Sequence, residues 1–230
     1  MTRNRVYWAL ALALAASSVV ATAIVYTQLP RTIPIHWNIQ GKVDGYGTKA
    51  TLLIVPVVTL GFLGFFRGLS YLSPRGYEVD TFRSTMVFVM VCVVALFVVM
   101  QGVILLVTWQ TVARVAHPID IGRVLFANMF LFLALIGNQM GKIRRNFYIG
   151  VRTPWTLASE RVWNDTHRLA AWTMVAGSLI GFLVVVAGLS LILAFAVLIV
   201  SALIPIVYSF VHYKQIEKKG HPDLEDAELR

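Results

Sequence analysis

The chain has 230 residues, of which 58% are hydrophobic and only 13% charged, and its mean hydropathy is +0.73. Those values exclude an ordinary water-solvated domain and make lipid the solvent for most of the chain. A net charge of +9 on such a chain is a topology signal and an attraction to anionic membrane lipid, not a nucleic-acid footprint, so no direct nucleic-acid partner is expected.

In chain order, Val6 to Gln28 is the first uncharged run longer than the ~18 residues that mark a spanning helix. Arg3 and Arg5 before it and Ala21-Thr22-Ala23 near its end imitate a signal peptide. The apolar stretch is longer than a usual signal core, so an uncleaved first helix is expected. A polar segment follows from Pro30 to Lys49. Ile33, Ile35, Trp37 and Ile39 alternate there with Pro34, His36, Asn38 and Gln40, and Asp44-Gly45 offers a turn dipeptide between Gly41 and Gly47. The pattern predicts a short β-hairpin on the membrane face. A span from about Thr51 to Leu72 carries Arg67 near one end, where the side chain can snorkel. Ser84 to Ala113 is the next span and holds Cys92, the single cysteine, so no intramolecular disulfide forms.

Val124 to Gly141 is a further span, followed by a polar segment from Lys142 to Arg168. This segment mixes basic residues with Phe147, Tyr148, Trp155 and Trp163, and Thr153-Pro154 reads as a helix start with a hydroxyl N-cap and proline at the first position. An interfacial helix is predicted from there, with Glu160, Asn164 and His167 on one face and Ala158, Val162, Leu169 and Trp172 on another. Leu169 to Tyr213 is uncharged over a length that would reach about 68 Å as one helix, against a hydrocarbon core of about 30 Å. It must double back, and Ala187-Gly188-Leu189-Ser190 is the expected turn. From Lys214 onward the apolar periodicity ends, which predicts a frayed tail.

The expected fold is therefore all-α: a polytopic membrane helix bundle of about six transmembrane helices, with a short extracytoplasmic hairpin-like loop and a cytoplasmic interfacial helix. Its organisation divides into 1–72 with the loop 30–49, a connecting loop and helix over 73–118, a region 119–213 with the loop 142–168, and a tail 214–230. Of the 20 Lys and Arg, only Arg31, Lys42, Lys49, Arg114 and Arg123 fall on the far side if the N-terminus is cytoplasmic. The remaining fifteen place both termini in the cytoplasm of a bacterial cell membrane.

Ionisable groups in hydrocarbon usually mark function, yet no Asp or Glu stands in the middle of a span. No His-Glu-x-x-His motif occurs and no span joins a Ser to a His, so no catalytic residue, cofactor or enzyme activity is expected. Gln101, Asn128, Asn138 and Gln139 are expected to bond helix to helix. His36, Asn38 and Asp44 make too thin a ligand set for zinc or copper and are expected to fix the hairpin by hydrogen bonds. Glu160, Asn164 and His167 read as a polar helix face, and Trp37, Trp155, Trp163 and Trp172 as interfacial anchors.

The two polar segments carry a family resemblance. Leu29 to Gly47, with His36, Trp37, Asn38, Gly41, Asp44 and Tyr46, resembles the signature loop of the DUF1648 region. Gly137-Asn138-Gln-Met-Gly141-Lys142-Ile-Arg144, Phe147 to Gly150, Arg152-Thr-Pro-Trp155 through Glu160, and Val162-Trp163-Asn164-Asp-Thr-His167-Arg168 resemble the C-terminal half of the SdpI-type immunity proteins. One departure is Arg145, where the family commonly has proline; it predicts a more flexible, more basic loop. The resemblance implies a non-enzymatic bacterial membrane protein that gives resistance to a secreted, membrane-active peptide toxin. In some members it implies signalling through a transcriptional repressor held at the membrane. His36, Trp37, Asn38, Asp44 and Tyr46 would then form the ligand-facing loop. Asn138, Lys142, Arg144, Arg152, Trp155, Glu160, Trp163, Asn164, His167 and Arg168 would form the cytoplasmic interaction loop. The alternative is a small transporter or lipid-handling protein, favoured if Gln101, Asn128 or Asn138 line a polar cavity. Toxin, ligand and oligomeric state stay open.

Overall fold

The computed structural model describes residues 3–38, 42–72, 82–116 and 119–219. Within them the chain runs α1 (Arg3–Gln28), β1 (Thr32–Trp37), β2 (Val43–Thr48), a 3-10 turn (Lys49–Leu53), α2 (Ile54–Leu72), α3 (Arg83–Val112), α4 (Ile121–Met140), α5 (Pro154–Ala158), α6 (Glu160–Val186) and α7 (Leu191–Lys218). Six of these helices are long and apolar enough to cross a membrane, which makes the chain a multi-pass α-helical membrane protein. Ile39, Gln40, Gly41, the connection 73–81 with Arg75, and the tail 220–230 lie outside the described residues.

The long apolar run reverses where expected. The amides that follow α6 close back onto its last carbonyls, with Gly188 N–H donating to Val185 O at 3.1 Å and Leu189 N–H to Val184 O at 3.0 Å. Gly188 has φ +75°, the left-handed conformation in which glycine ends helices. Two expectations are corrected. The helix starting at Pro154 stops after five residues, because Ser159 is extended (φ −133°, ψ 126°) and its hydroxyl accepts from Val162 N–H to cap α6. Glu160, Asn164 and His167 therefore belong to the first turns of a membrane-length helix, not to a separate interfacial one. The predicted fraying of the tail from Lys214 onward is corrected for its first residues, since α7 continues to Lys218 and Lys214 pairs with Glu217 at 2.7 Å.

The chain packs as two compact units, the first of Met1–Arg67 with Met90–Met129 and the second of Gly68–Val89 with Phe130–Arg230. In the first, α1 buries Ala11, Ala15, Ser18 and Thr22, one stripe of small residues that lets helices approach closely. Gln101 of α3 donates to Thr22 Oγ1 and to the Leu52 carbonyl, both at 2.9 Å. Asn128 of α4 donates to the Leu96 carbonyl at 3.3 Å, so both amides bond helix to helix as expected. In the second unit, a Cβ on Gly177 would overlap the Ser201 hydroxyl and one on Gly181 would overlap the Phe130 ring. Close contact at those two positions requires glycine.

Candidate functional site

In the second unit, residues 142–168 form a tightly bonded clasp. Its centre is Asn146, fully buried and absent from the residues singled out by sequence. Its Oδ1 accepts from Tyr148 N–H (2.7 Å) and Ile149 N–H (2.9 Å), while Nδ2 donates to the carbonyls of Arg144 (2.8 Å) and Ile149 (3.2 Å). An asparagine can satisfy several backbone groups of a turn at once, which is what gives this irregular loop a single shape. The Tyr148 hydroxyl donates to the Leu72 carbonyl at 2.6 Å.

Trp163 is 0% exposed, which corrects its assignment as an interfacial anchor. Its indole N–H donates to the Ile143 carbonyl at 2.7 Å, and its ring stacks on His167 at 4.0 Å between centroids. His167 is buried too, and so leaves the polar face proposed for Glu160, Asn164 and His167. Val151 N–H donates to His167 Nε2 at 3.0 Å, which assigns the ring proton to Nδ1, donating to the Trp163 carbonyl at 2.8 Å. Both ring nitrogens are thus spent on holding the loop against α6. Gly150 passes directly over this ring with φ +114°.

Arg152 donates to the Phe147 carbonyl, bracing the loop internally. Arg145 donates to the Leu157 carbonyl at 3.0 Å, so the position that was expected to loosen the loop ties it to α5. Thr153 and Thr156 form a reciprocal capping box at the start of α5, as the Thr-Pro pair predicted for its N-cap. Thr153 also meets Ser209 of α7 at 3.1 Å, and Trp155 packs on Phe210 with ring centroids 4.9 Å apart. Asp165 and His212 join α6 to α7 at 3.0 Å. Trp172 stands 79% exposed, as an anchor in a headgroup layer would. Lys142, Arg144, Asn164 and Arg168 border a shared polar cavity, whereas Asn138 and Glu160 are exposed.

The hairpin belongs to the first unit. The turn is not at Asp44-Gly45, which lie inside β2, with Gly45 opposite His36. Asn38 and Lys42 close the loop instead: Asn38 N–H donates to Lys42 O at 2.9 Å, and Lys42 N–H to Asn38 Oδ1 at 3.0 Å. This double clamp on a longer connection outweighs the Asp-Gly dipeptide. The register shifts between Pro34 and His36 and again between His36 and Trp37, leaving Ile35 and Asp44 without direct partners. The first shift breaks the expected alternation, so Ile33 is fully buried while Ile35 is exposed.

Ile33 anchors the hairpin base in a cluster with Leu29, Leu52 and Leu105. Lys49 donates to the carbonyls of Tyr26 (3.0 Å) and Leu29 (3.1 Å), covering the open end of α1 and lying over the Tyr26 ring. Beyond this fixed base the hairpin presents an exposed pair, His36 Nδ1 and Asp44 Oδ1 at 2.5 Å, beside Tyr46, which is 66% exposed. Trp37 and Asn38 are half-buried at the neck. His36 and Asp44 come together, and among the described residues no group of three or more His, Cys, Asp or Glu could hold a metal.

A multi-pass helical protein with an anchored polar hairpin in one unit and a bonded loop between α4 and α6 in the other is the class these features define. Residues 142–209, which span the clasp, α6 and most of α7, match the SdpI/YfhL protein family, and residues 13–60 match a domain of unknown function, DUF1648. It is 27% identical over 197 residues to the immunity protein SdpI of Bacillus subtilis, covering 85% of this chain and 90% of that protein. No solved structure matches the chain.

Proposed function

We propose that this protein is a membrane immunity protein: without catalysing a reaction, it protects its cell from a secreted peptide that attacks the membrane. The hairpin is its ligand-facing element on the outside, and the clasp is an output surface inside, suited to holding a transcriptional repressor at the membrane. The observation that carries this reading is the likeness to immunity protein SdpI along most of both chains, including both polar segments. The hairpin geometry supports it, because an anchored base with exposed His36, Asp44 and Tyr46 is ordered before any ligand arrives. The alternative of a transport pathway is weakened at Gln101 and Asn128, whose amides are used between helices.

Orientation rests on the fifteen-to-five division of Lys and Arg. In a Cys92→Ser background, Lys42→Cys and Arg114→Cys are expected to react with an impermeant thiol reagent in intact cells, while Lys218→Cys reacts only after lysis. Labelling of Lys218→Cys in intact cells reverses the topology.

His36→Ala combined with Asp44→Ala is expected to abolish most protection at unchanged protein level. The pair is solvent-exposed, with His36 70% accessible, so its loss costs well under about 1 kcal/mol of stability. Full protection by the double variant, measured as survival under peptide challenge, removes the hairpin from the ligand-facing role. Gly45→Val is expected to act in the same assay by crowding: a Cβ there already lies 3.0 Å from His36 Cβ.

A further inference from the structure

The polar cavity of the second unit has a chemistry of its own. It is an open pocket of about 500 Å³ beside the end of α4, and Lys142, Arg144 and Arg168 border it together with Asn164, Thr85 and Phe82. Lys142 and Arg144 are two residues apart on the segment leaving α4, and Asn164 and Arg168 one turn apart on α6, so four donors from two elements reach one space. Among the described lining residues none carries a carboxylate. Lys142 donates to Gln139 Oε1 at 3.2 Å, a neutral acceptor. Thr85 belongs to the first turn of the 30-residue α3, whose helix dipole adds positive potential at the same end. Three cations bordering one polar space repel one another, and an anion among them relieves that repulsion.

The walls are set in advance. Ile143 is buried and its carbonyl is held by Trp163, the Arg144 carbonyl is held by Asn146, and the Arg168 stem packs 3.9 Å from where a Gly141 Cβ would stand. The backbone that carries these side chains is therefore ordered before a ligand enters.

We propose that this cavity is a binding site for a phosphate group, which Arg144 and Arg168 engage through their planar forks, Lys142 as a point charge, and Asn164 and Thr85 through neutral hydrogen bonds. The group belongs either to an anionic phospholipid headgroup or to a soluble phosphate ester.

The test uses the full chain purified in detergent. Native mass spectrometry measures retention of phosphatidylglycerol against phosphatidylcholine, and thermal unfolding compares inorganic phosphate with chloride at equal ionic strength. Retention of phosphatidylglycerol about tenfold or more above phosphatidylcholine, without a phosphate effect, assigns a lipid headgroup. Stabilisation by inorganic phosphate assigns recognition of the phosphate itself. Arg144→Gln with Arg168→Gln is expected to lower either signal about tenfold or more, whereas Lys218→Gln with Lys219→Gln, an equal loss of charge, leaves it in place. Arg168→Gln alone, at an exposed position, supplies the comparison if the double variant does not fold. Absence of both signals in the parent, or an equal fall in the two charge-matched variants, overturns the site. Neither arm measures protection, so the outcome stands apart from the immunity reading.

Discussion

Trp163→Ala is expected to destabilise the protein by about 3–5 kcal/mol and to abolish protection, the largest effect of any single truncation in the clasp. The indole is wholly enclosed, so its removal opens a cavity that the bonded loop cannot collapse to fill. It also strips the Ile143 carbonyl of its donor and His167 of its stacking partner. Unfolding of the purified protein by heat or detergent measures the first effect. Trp163→Phe keeps an aromatic ring but loses the N–H together with part of the indole's volume, for about 1–3 kcal/mol. A Trp163→Ala protein as stable as the parent contradicts the bonding assigned to the clasp.

Gly150→Ala is expected to cost nearly as much for a single added methyl group. At φ +114° an L side chain is strained by about 1–3 kcal/mol. The new Cβ would also overlap His167 Nε2, the atom that accepts from Val151 N–H, and overpacking of this kind typically adds about 1–3 kcal/mol. His167→Ala in the same chain provides the check. It removes the overlap, so the cost of Gly150→Ala measured in that background falls to the backbone strain alone. Equal costs in the two backgrounds place the effect in the backbone and remove His167 from the account.

These two residues show where sequence reasoning stops. The six spans and the reversal at Gly188 were legible because apolar length and a left-handed glycine are local properties. The Thr153 cap before Pro154 was legible for the same reason. Helix periodicity suggested a polar face for Glu160, Asn164 and His167, yet His167 is buried because an aromatic neighbour one turn earlier and a loop amide sixteen residues earlier take up its polarity. Nothing in the run Arg144-Arg145-Asn146-Phe147 distinguished Asn146 from its neighbours except that Gly150 follows closely, a spacing compatible with a side-chain-capped turn. Arg145 was misread because the loss of proline suggested slack, whereas the guanidinium supplies a bond to the Leu157 carbonyl that proline has no donor to make. In the hairpin, two shifts of register displaced both the alternation and the turn.

Protection itself is the most direct measurement. The gene is deleted from its own strain, and the deletion strain is exposed to the peptide fraction secreted by the parent while a potential-sensitive dye reports membrane polarisation. Rapid depolarisation of the deletion strain is expected, with none in the parent, rescue by the intact chain, and no rescue by His36→Ala with Asp44→Ala at equal protein level. A deletion strain that holds its membrane potential as well as the parent, under a peptide fraction that depolarises unrelated cells, contradicts the immunity function.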